Sequence, residues 1–286
     1  MDFEVIATGY QFAEAPRAAA DGSVYFSDLF GGGYYRARPN GAVDGLLAGR
    51  KYIGGAVLGA DGALICSGLG GLIKVGPDSG LSAPVLTHIE GAPIIAINDV
   101  EAAADGGIFG GSIDFVSIFE TGEKTAPGQF FYLSPQGAVR VLREVTVSNG
   151  IAFSPDGQIM YHAESTKGVW ACPMAADGMP GAPSMFAALE DCDGLAVDVE
   201  GGLWVARWQA AELRRYRPDA VLDRCMALPF AHVTSLAFGG PDLTALYVTV
   251  GGDQARPGQG GLLRLKADVP GLPVHRTTVG AGLLVS

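Results

Sequence analysis

The sequence has few charged residues, a deficit of basic ones and no long hydrophobic run. Charged residues make up 17% of the 286, and 30 acidic against 19 basic side chains give a net charge of −11. This balance disfavours nucleic acid and anionic membranes as partners, because both require clustered Lys and Arg. No apolar run reaches the roughly 18 residues of a membrane helix. Neither partner is therefore expected, and the oligomeric state stays open.

Cysteine is also scarce. The four residues, Cys66, Cys172, Cys192 and Cys225, have irregular spacing and form no CxxC pair. This pattern predicts free thiols in a reducing compartment. The first residues lack a basic region followed by an apolar stretch, so no signal peptide is expected. We therefore predict a cytoplasmic protein.

Glycine and proline are abundant, whereas sustained helical periodicity is lacking. The 43 Gly and 17 Pro follow no G-X-Y period, so they indicate many tight turns. The hydrophobic content of 48% is too high for disorder. No stretch longer than about ten residues keeps an apolar spacing of 3.6. Residues 1–286 are predicted to form a single all-β domain.

A turn holding an acidic residue recurs along the chain. The six acids are Asp21, Asp61, Asp105, Asp156, Glu200 and Asp242, and glycine follows all but the last. Successive acids are 40, 44, 51, 44 and 42 residues apart, and short β-rich runs flank each turn. Asp-Gly between such runs favours a hairpin. The period suits a four-stranded propeller blade, so we predict a six-bladed β-propeller.

The residues seven positions before these acids carry the strongest functional signal. They are Glu14, Gly54, Asn98, Asn149, Asp193 and Ser235. If the six units are equivalent, these positions face one another at one end of the central channel. Four of them offer carboxylate or amide oxygens, which suit a hard divalent cation. A central metal site is predicted, and calcium fits an all-oxygen site best, since no His stands at these positions.

Some features leave alternatives open. Either the run 3–8 or the run 273–279 could complete the last blade and close the ring. The Asn149-Gly150 and Asp193-Gly194 pairs could be turns without a ligand role. His88, His162 and His232 are more typical of packing residues than of proton carriers. The long loop 113–128, which contains Phe115 and Phe119, is expected at the channel mouth together with Trp208.

Several segments resemble one known family. They are Phe12-Ala13-Glu14-Ala15-Pro16, Ile97-Asn98-Asp99, the run from Ser148 to Gly157 (SNGIAFSPDG) and the run from Asp193 to Asp198 (DGLAVD). Over nearly its whole length the chain resembles the senescence marker protein / gluconolactonase / luciferin-regenerating enzyme family of six-bladed propellers. The SNG…SPDG and DG.AVD blocks are specific in combination.

The resemblance implies one divalent metal, with family ligands at Glu14, Asn149 and Asp193. It places a second asparagine at Asn98, as a weak ligand or a substrate contact. The resemblance also allows zinc, manganese or iron in place of calcium. The implied activity is hydrolysis of a small-molecule lactone. Phosphoester-type hydrolysis in relatives is the alternative, and a non-catalytic ligand-binding propeller with structural calcium is a further one.

Two departures from the family pattern bear on the substrate. The usual Glu-Gly-Pro reads Glu14-Ala15-Pro16, and an Arg that grips sugar hydroxyls is replaced by Ala96. An apolar methyl in place of a fork of five donors favours a less polar γ- or δ-lactone over a sugar lactone. The predicted substrate contacts are Asn98, Ala96, Phe115, Phe119 and Trp208. For catalysis, Asp193 is expected to take a proton from the attacking water, with Asn98 assisting.

Overall fold

The computed structural model describes residues 2–123, 126–253, 255 and 258–284. In chain order the strands are β1 (Phe3–Tyr10), β2 (Ala13–Ala18), β3 (Val24–Asp28), β4 (Tyr34–Ala37), β5 (Val43–Gly45), β6 (Ala56–Leu58), β7 (Leu64–Cys66), β8 (Gly68–Leu69), β9 (Leu72–Val75), β10 (Ser82–Leu86), β11 (His88–Ile89), β12 (Ala92–Pro93), β13 (Ala96–Ala102), β14 (Ile108–Ile113), β15 (Gly128–Leu133), β16 (Val139–Val145), β17 (Val147–Phe153), β18 (Ile159–Ser165), β19 (Gly168–Pro173), β20 (Ser184–Ala187), β21 (Cys192–Val197), β22 (Leu203–Arg207), β23 (Glu212–Tyr216), β24 (Leu222–Ala227), β25 (His232–Gly239), β26 (Ala245–Gly251) and β27 (Gly260–Lys266).

These strands form the six-bladed propeller that the repeat predicts. Blades one to six have β2, β6, β13, β17, β21 and β25 as their innermost strands, and each blade continues outward through antiparallel neighbours. Blade three gains β8 as an extra strand beside β13, and β11 and β12 form a separate hairpin. A π-helical turn, Ser117–Thr121, lies in the loop after β14. Residues 124 and 125 of that predicted mouth loop lie outside the described residues.

The acid–glycine turns join the two inner strands of blades one to five, and in blades one to four the acid itself fixes the local backbone by accepting a hydrogen bond. Asp105 Oδ1 accepts a hydrogen bond from the amide of Gly107 at 3.0 Å, and Gly106 between them has φ +88°. A glycine adopts this left-handed conformation without a steric cost. The described residues include no helix with both the length and the apolar character to span a membrane.

The N-terminal strand closes the ring. Strand β1 pairs antiparallel with β27, with Phe3 opposite Leu265, and so becomes the outermost strand of blade six. The C-terminal run takes a different course: the amide of Thr277 donates to the carbonyl of Leu58 and that of Thr278 to Gly106, both at 2.9 Å. This run therefore crosses the face that carries the acid–glycine turns.

Adjacent blades are held by apolar clusters and by buried hydroxyl groups. Each of the six interfaces between blades contains its own cluster, such as the one joining Trp204 of blade five to Leu246 of blade six. Near the axis, Thr234 Oγ1 of blade six donates to the carbonyl of Ala13 of blade one at 2.7 Å. A hydroxyl in this position supplies a donor to a buried backbone carbonyl.

Candidate metal centre and substrate cavity

The innermost strands carry a β-bulge at the predicted site residues. The antiparallel register shifts between Glu14 and Arg17 in β2, and corresponding shifts span Asn98 in β13, Asn149 in β17 and Asp193 in β21. Bulges re-aim a side chain that regular pleating would direct elsewhere, and they are frequent beside active sites. In blade one, the bulge includes Ala15 with φ 52°.

The four predicted metal ligands line the floor of one cavity. Glu14, Asn98, Asn149 and Asp193 come from blades one, three, four and five, and each is at most 8% exposed. A hydrogen bond from Asn98 Nδ2 to Asn149 Oδ1 joins the two amides directly. These oxygen-bearing side chains therefore converge, as predicted from their shared position seven residues before an acidic turn.

Hydrogen bonds fix both asparagines. Asn98 Nδ2 also donates to the carbonyl of Ser148 at 2.7 Å, and Asn149 Nδ2 donates to Ser165 Oγ at 2.6 Å. Ser165 Oγ in turn donates to the carbonyl of Cys192 at 2.5 Å, which precedes Asp193 in blade five. This chain of bonds runs through blades three, four and five, so the amides have little freedom to turn.

Neither Glu14 nor Asp193 forms an ion pair with a basic side chain in the described part of the chain, although the charge of Arg17 lowers the pKa of Glu14 slightly against the effect of burial. Burial raises the pKa of Glu14 well above its ordinary value, and the negative charge of Asp193 raises it further. Burial likewise raises the pKa of Asp193, with Asp99 and Asp191 adding to the effect. Arg17 lies in the same region but forms its ion pair with Glu101, at 3.0 Å. Two buried, repelling carboxylates are expected to favour a bound cation, which would remove this repulsion.

Two of the six positions that lie seven residues before an acidic turn, which we call the seven-back positions, contribute no carboxylate or amide. They are Gly54 and Ser235. A Cβ on Gly54 would lie 1.9 Å from Asn98 Oδ1, so blade two has a glycine where Asn98 needs room. Ser235 of blade six is 4% exposed and its Oγ packs closely against Gly194. The site is thus asymmetric, with its oxygen donors on blades one, three, four and five.

The donor set fits a hard divalent ion. It combines two carboxylates with two amides, and all four can supply oxygen. No group of three or more His, Cys, Asp or Glu side chains suited to a metal occurs in the described part of the chain. A zinc site built from nitrogen and sulfur ligands is therefore not present among these residues.

Above this floor, aromatic rings form much of the cavity wall. The cavity has a volume of about 480 Å³. Neighbouring rings lie 5.0–5.5 Å apart between centroids, in a series that we call the aromatic arc. The arc consists of Trp208, His232, Phe12, Phe30, Phe119 and Phe115. Rings at such distances pack favourably with one another and present apolar surface to a ligand.

The predicted substrate contacts occupy different places relative to this cavity. Phe115, Phe119 and Trp208 line it together with Asn98. Ala96 is fully buried and is absent from the lining; it packs instead in a cluster with Tyr52 and Phe115. The small side chain at position 96 thus makes space for rings that in turn shape the cavity.

Sequence reasoning did not identify Phe30 or Tyr52 and gave His232 no contact with the cavity. A signal for part of this wall is present: Phe12, Tyr52, Ala96 and Val147 each stand two residues before a seven-back position. All four belong to the apolar cluster at the mouth. His232 is held by Trp208, whose carbonyl lies 2.9 Å from Nδ1.

His162 is a packing residue, as its strand position favoured. It is fully buried and stacks on Phe130 at 4.2 Å. Its Nδ1 accepts from Arg143 Nη2 at 2.5 Å, and Nε2 lies 2.8 Å from Ser148 Oγ. Burial lowers the pKa of His162 to about 3, and Arg143 contributes. It therefore stays neutral at physiological pH.

Comparison with known proteins identifies the family. The family model described as the SMP-30/gluconolactonase/LRE-like region matches residues 12–252. The chain belongs to this family. A pentonolactonase from Haloferax volcanii is 28% identical, covering 97% of this chain and 98% of its own length. A 6-deoxy-6-sulfogluconolactonase from Pseudomonas putida is 27% identical, covering 79% and 78%.

A solved structure of a similar protein has the same fold. It is regucalcin from Agrobacterium tumefaciens, described as a calcium-binding protein, with a TM-score of 0.84 at 22% identity. The superposition covers 96% of this chain and 97% of that one. The shared fold therefore extends over the whole propeller.

Proposed function

We propose that this protein is a metal-dependent lactonase that holds one divalent cation among Glu14, Asn98, Asn149 and Asp193. Calcium is the ion that we propose for this site. One observation carries the proposal: four oxygen-bearing side chains from four blades converge at the floor of a cavity large enough for a small cyclic ester. Family membership and the lactonase names of its relatives support it.

The donor set suits ester hydrolysis. When bound, such a cation stabilises negative charge on the carbonyl oxygen of a lactone and acidifies a nearby water. Glu14 and Asp193 would offset its two positive charges, while Asn98 and Asn149 remain neutral. The site then carries a net charge near zero, and the cavity above it leaves room for water and substrate.

In this proposal the chain's own residues have distinct tasks. An Asp193 carboxylate oxygen takes a proton from the attacking water, which typically contributes about 10²–10⁴-fold. Asn98, fixed by Ser148 and Asn149, contacts the metal or the substrate carbonyl. Glu14 binds the cation with an orientation set by the amide of Ala15, which donates to Oε2 at 3.0 Å.

We propose a γ- or δ-lactone with an apolar substituent as the substrate. The names of the relatives refer to sugar-derived lactones, whereas this cavity presents the aromatic arc, and the lining residues that the structure describes include no arginine. Its polar lining on blades four and five includes Thr166, Glu190 and Gln209. A substrate with one polar and one apolar edge would match the polar lining on one side of the cavity and the aromatic arc on the other.

The role of Asp193 is tested by the Asp193→Ala variant, with metal content and lactonase rate measured on the same sample. We expect a loss of at least about 10²-fold in kcat. Asp156→Ala, at an exposed turn, is the matched control and should keep the full rate. A variant that keeps its metal and its rate would exclude Asp193 as the base.

The substrate is tested with a panel of alkyl-substituted and sugar-derived lactones, with and without a chelator. Alkyl lactones should react faster than gluconolactone, and the chelator should abolish both reactions. The reverse order would overturn the substrate proposal and leave the lactonase proposal standing. Bound calcium without turnover of any lactone, ester or fluorophosphate would instead favour a ligand-binding propeller.

A further inference from the structure

Tyr52 adopts an unusual backbone conformation behind the aromatic arc. Its φ is 62°, in the left-handed region that bulky side chains rarely occupy. The residue is 3% exposed, and its amide donates to the carbonyl of Leu29 in blade one at 2.8 Å. Strained backbone of this kind persists where the surroundings enforce it, often next to a functional site.

The hydroxyl of Tyr52 reaches the turn that carries Phe119. Tyr52 Oη donates to Glu120 Oε1 at 2.6 Å, and Lys51 Nζ lies 3.9 Å from the same oxygen. Glu120 belongs to the π-helical turn Ser117–Thr121, directly after Phe119. A hydrogen bond to a carboxylate is stronger than one between neutral groups. The donor proton is secure, since burial and then Glu120 raise the pKa of Tyr52 to about 12.

The Tyr52 ring also supports the distal end of the arc. Its centroid lies 5.2 Å from Phe115, 6.3 Å from Phe119 and 6.5 Å from Phe30. Phe119 is 51% exposed, so burial alone holds it weakly. Tyr52 itself is not among the residues that line the cavity. Its influence on a ligand therefore runs through Phe119 and Phe115.

We propose that Tyr52 and Glu120 form a positioning pair that sets the preference for lactones with an apolar substituent. By tying the π-helical turn to the strand entry of blade two, the pair fixes Phe119 and Phe115 as a rigid apolar surface. A ligand that contacts a preorganised surface loses less free energy on binding than one that must order it. The substrate in this inference rests on the proposed lactonase function.

The test compares γ-butyrolactone with its γ-hexyl derivative, using the calcium-loaded full chain. Tyr52→Phe keeps the ring but removes the hydroxyl. We expect the ratio of kcat/KM for hexyl over unsubstituted lactone to fall about tenfold, mainly through KM, as the loss of one charge-assisted hydrogen bond would give. Glu120→Ala should have the same effect. Glu120→Gln retains an acceptor for Tyr52 and should restore most of the ratio.

Tyr35→Phe is the matched control. It also removes a hydroxyl that donates a hydrogen bond, to the carbonyl of Gly32 at 2.9 Å, away from the cavity. The ratio should not change in this variant. If Tyr52→Phe lowers kcat/KM equally for both lactones, Tyr52 only supports the fold and the proposal is wrong.

Binding provides a readout that does not depend on hydrolysis. Cyclopentanone and its 2-hexyl derivative serve as unreactive probes, followed by the fluorescence of Trp208, with Trp208→Phe giving the background from the other tryptophans. Preferential binding of the hexyl probe that disappears in Tyr52→Phe supports the pair even if no lactone is hydrolysed. Equal preference in wild type and Tyr52→Phe overturns it, whatever the lactone panel shows.

Discussion

At the scale of single residues, burial and close contact decide what each side chain can do. His162 illustrates this, because the groups that face it, Arg143, Ser148 and the Phe130 ring, leave its nitrogens bonded and its charge suppressed. Gly54 illustrates the opposite case, in which the absence of a side chain is what the neighbouring Asn98 requires. Both residues give predictions for single variants.

His162 should make the fold sensitive to mild acid. Its pKa is about 3 in the folded chain and about 6.5 when unfolded. Below about pH 6.5 the unfolded state therefore binds a proton that the folded state excludes, and stability falls. Relative to His162→Gln, wild type should lose up to about 1.4 kcal/mol per pH unit from about pH 6.5 to 5. Urea unfolding at several pH values measures this difference.

The titration of the neighbouring Glu164 does not overlap the range from about pH 6.5 to 5. The pKa of Glu164 is lowered to about 2, chiefly by hydrogen bonds from Lys167 and Thr146 against the effect of burial. The contribution of ionised Glu164 to the stability of the fold is therefore lost only as the pH falls below about 4.3, the pKa of a glutamate in the unfolded chain. His88→Gln, at an exposed position, is the control and should leave the slope as it is. Parallel curves for wild type and His162→Gln would contradict the prediction.

Gly54→Ala should disturb the proposed metal centre without a large effect on the fold. The new Cβ would meet Asn98 Oδ1 at 1.9 Å, so the amide must move. We expect calcium affinity, measured by calorimetry, to fall about tenfold or more, as for the loss of a supporting contact around a metal. Gly45→Ala is the control, since its Cβ would have 4.0 Å of clearance. Unchanged affinity would show that Asn98 does not need its present position.

At the scale of strands, the bulges and the hydroxyl links act together. In a regular strand the side chains of β2 would alternate strictly between the two faces. The bulge between Glu14 and Arg17 changes this alternation. Glu14 lines the cavity floor, while Arg17 donates a hydrogen bond to the carbonyl of Val100 in blade three at 3.0 Å. The Thr234 hydroxyl then holds the start of β2 against blade six. The position of Glu14, a proposed metal ligand, thus depends on contacts with another blade.

Thr234→Val should test this dependence. The substitution keeps the shape of the side chain but leaves the carbonyl of Ala13 without its donor. An unsatisfied buried acceptor typically costs about 1–3 kcal/mol, which denaturant unfolding would detect. Thr87→Val, at an exposed site, should cost little. A negligible loss for Thr234→Val would mean that another group or a water replaces the bond.

The sequence predicts much of this architecture, and its limits have physical causes. The acid–glycine turns locate the blades because turn chemistry is local, and the seven-residue address finds the four residues at the cavity floor. The bulges leave no comparable signature, since they depend on pairing between strands. Rings such as Phe30 line the cavity because of the conformation of the loops that carry them, and spacing along the chain does not predict loop conformation. The choice between the two terminal runs also required tertiary contacts.

At the scale of the whole molecule, ring closure depends on a single strand at the N-terminal end. Deletion of residues 2–10 would expose the edge of β27 and open blade six. We expect a loss of more than about 3 kcal/mol, a large part of the stability of an ordinary domain, together with association through the free edge. Denaturant unfolding and light scattering measure the two effects.

A synthetic peptide of residues 2–10 is the complement to that deletion. An added strand can pair with an exposed edge, so the peptide should restore part of the stability. Rescue by this peptide and not by one with a scrambled sequence would attribute the effect to the strand itself. A truncated protein that is as stable and monomeric as the full chain would show that β1 is dispensable.

The pairing of Phe3 with Leu265 also has a consequence for biosynthesis. Strand β1 must wait until the residues up to β27 have been translated before its partner exists. At about 5–20 residues per second, that delay is on the order of tens of seconds. During that interval the unpaired β1 is available to chaperones, and blade six is completed late in synthesis.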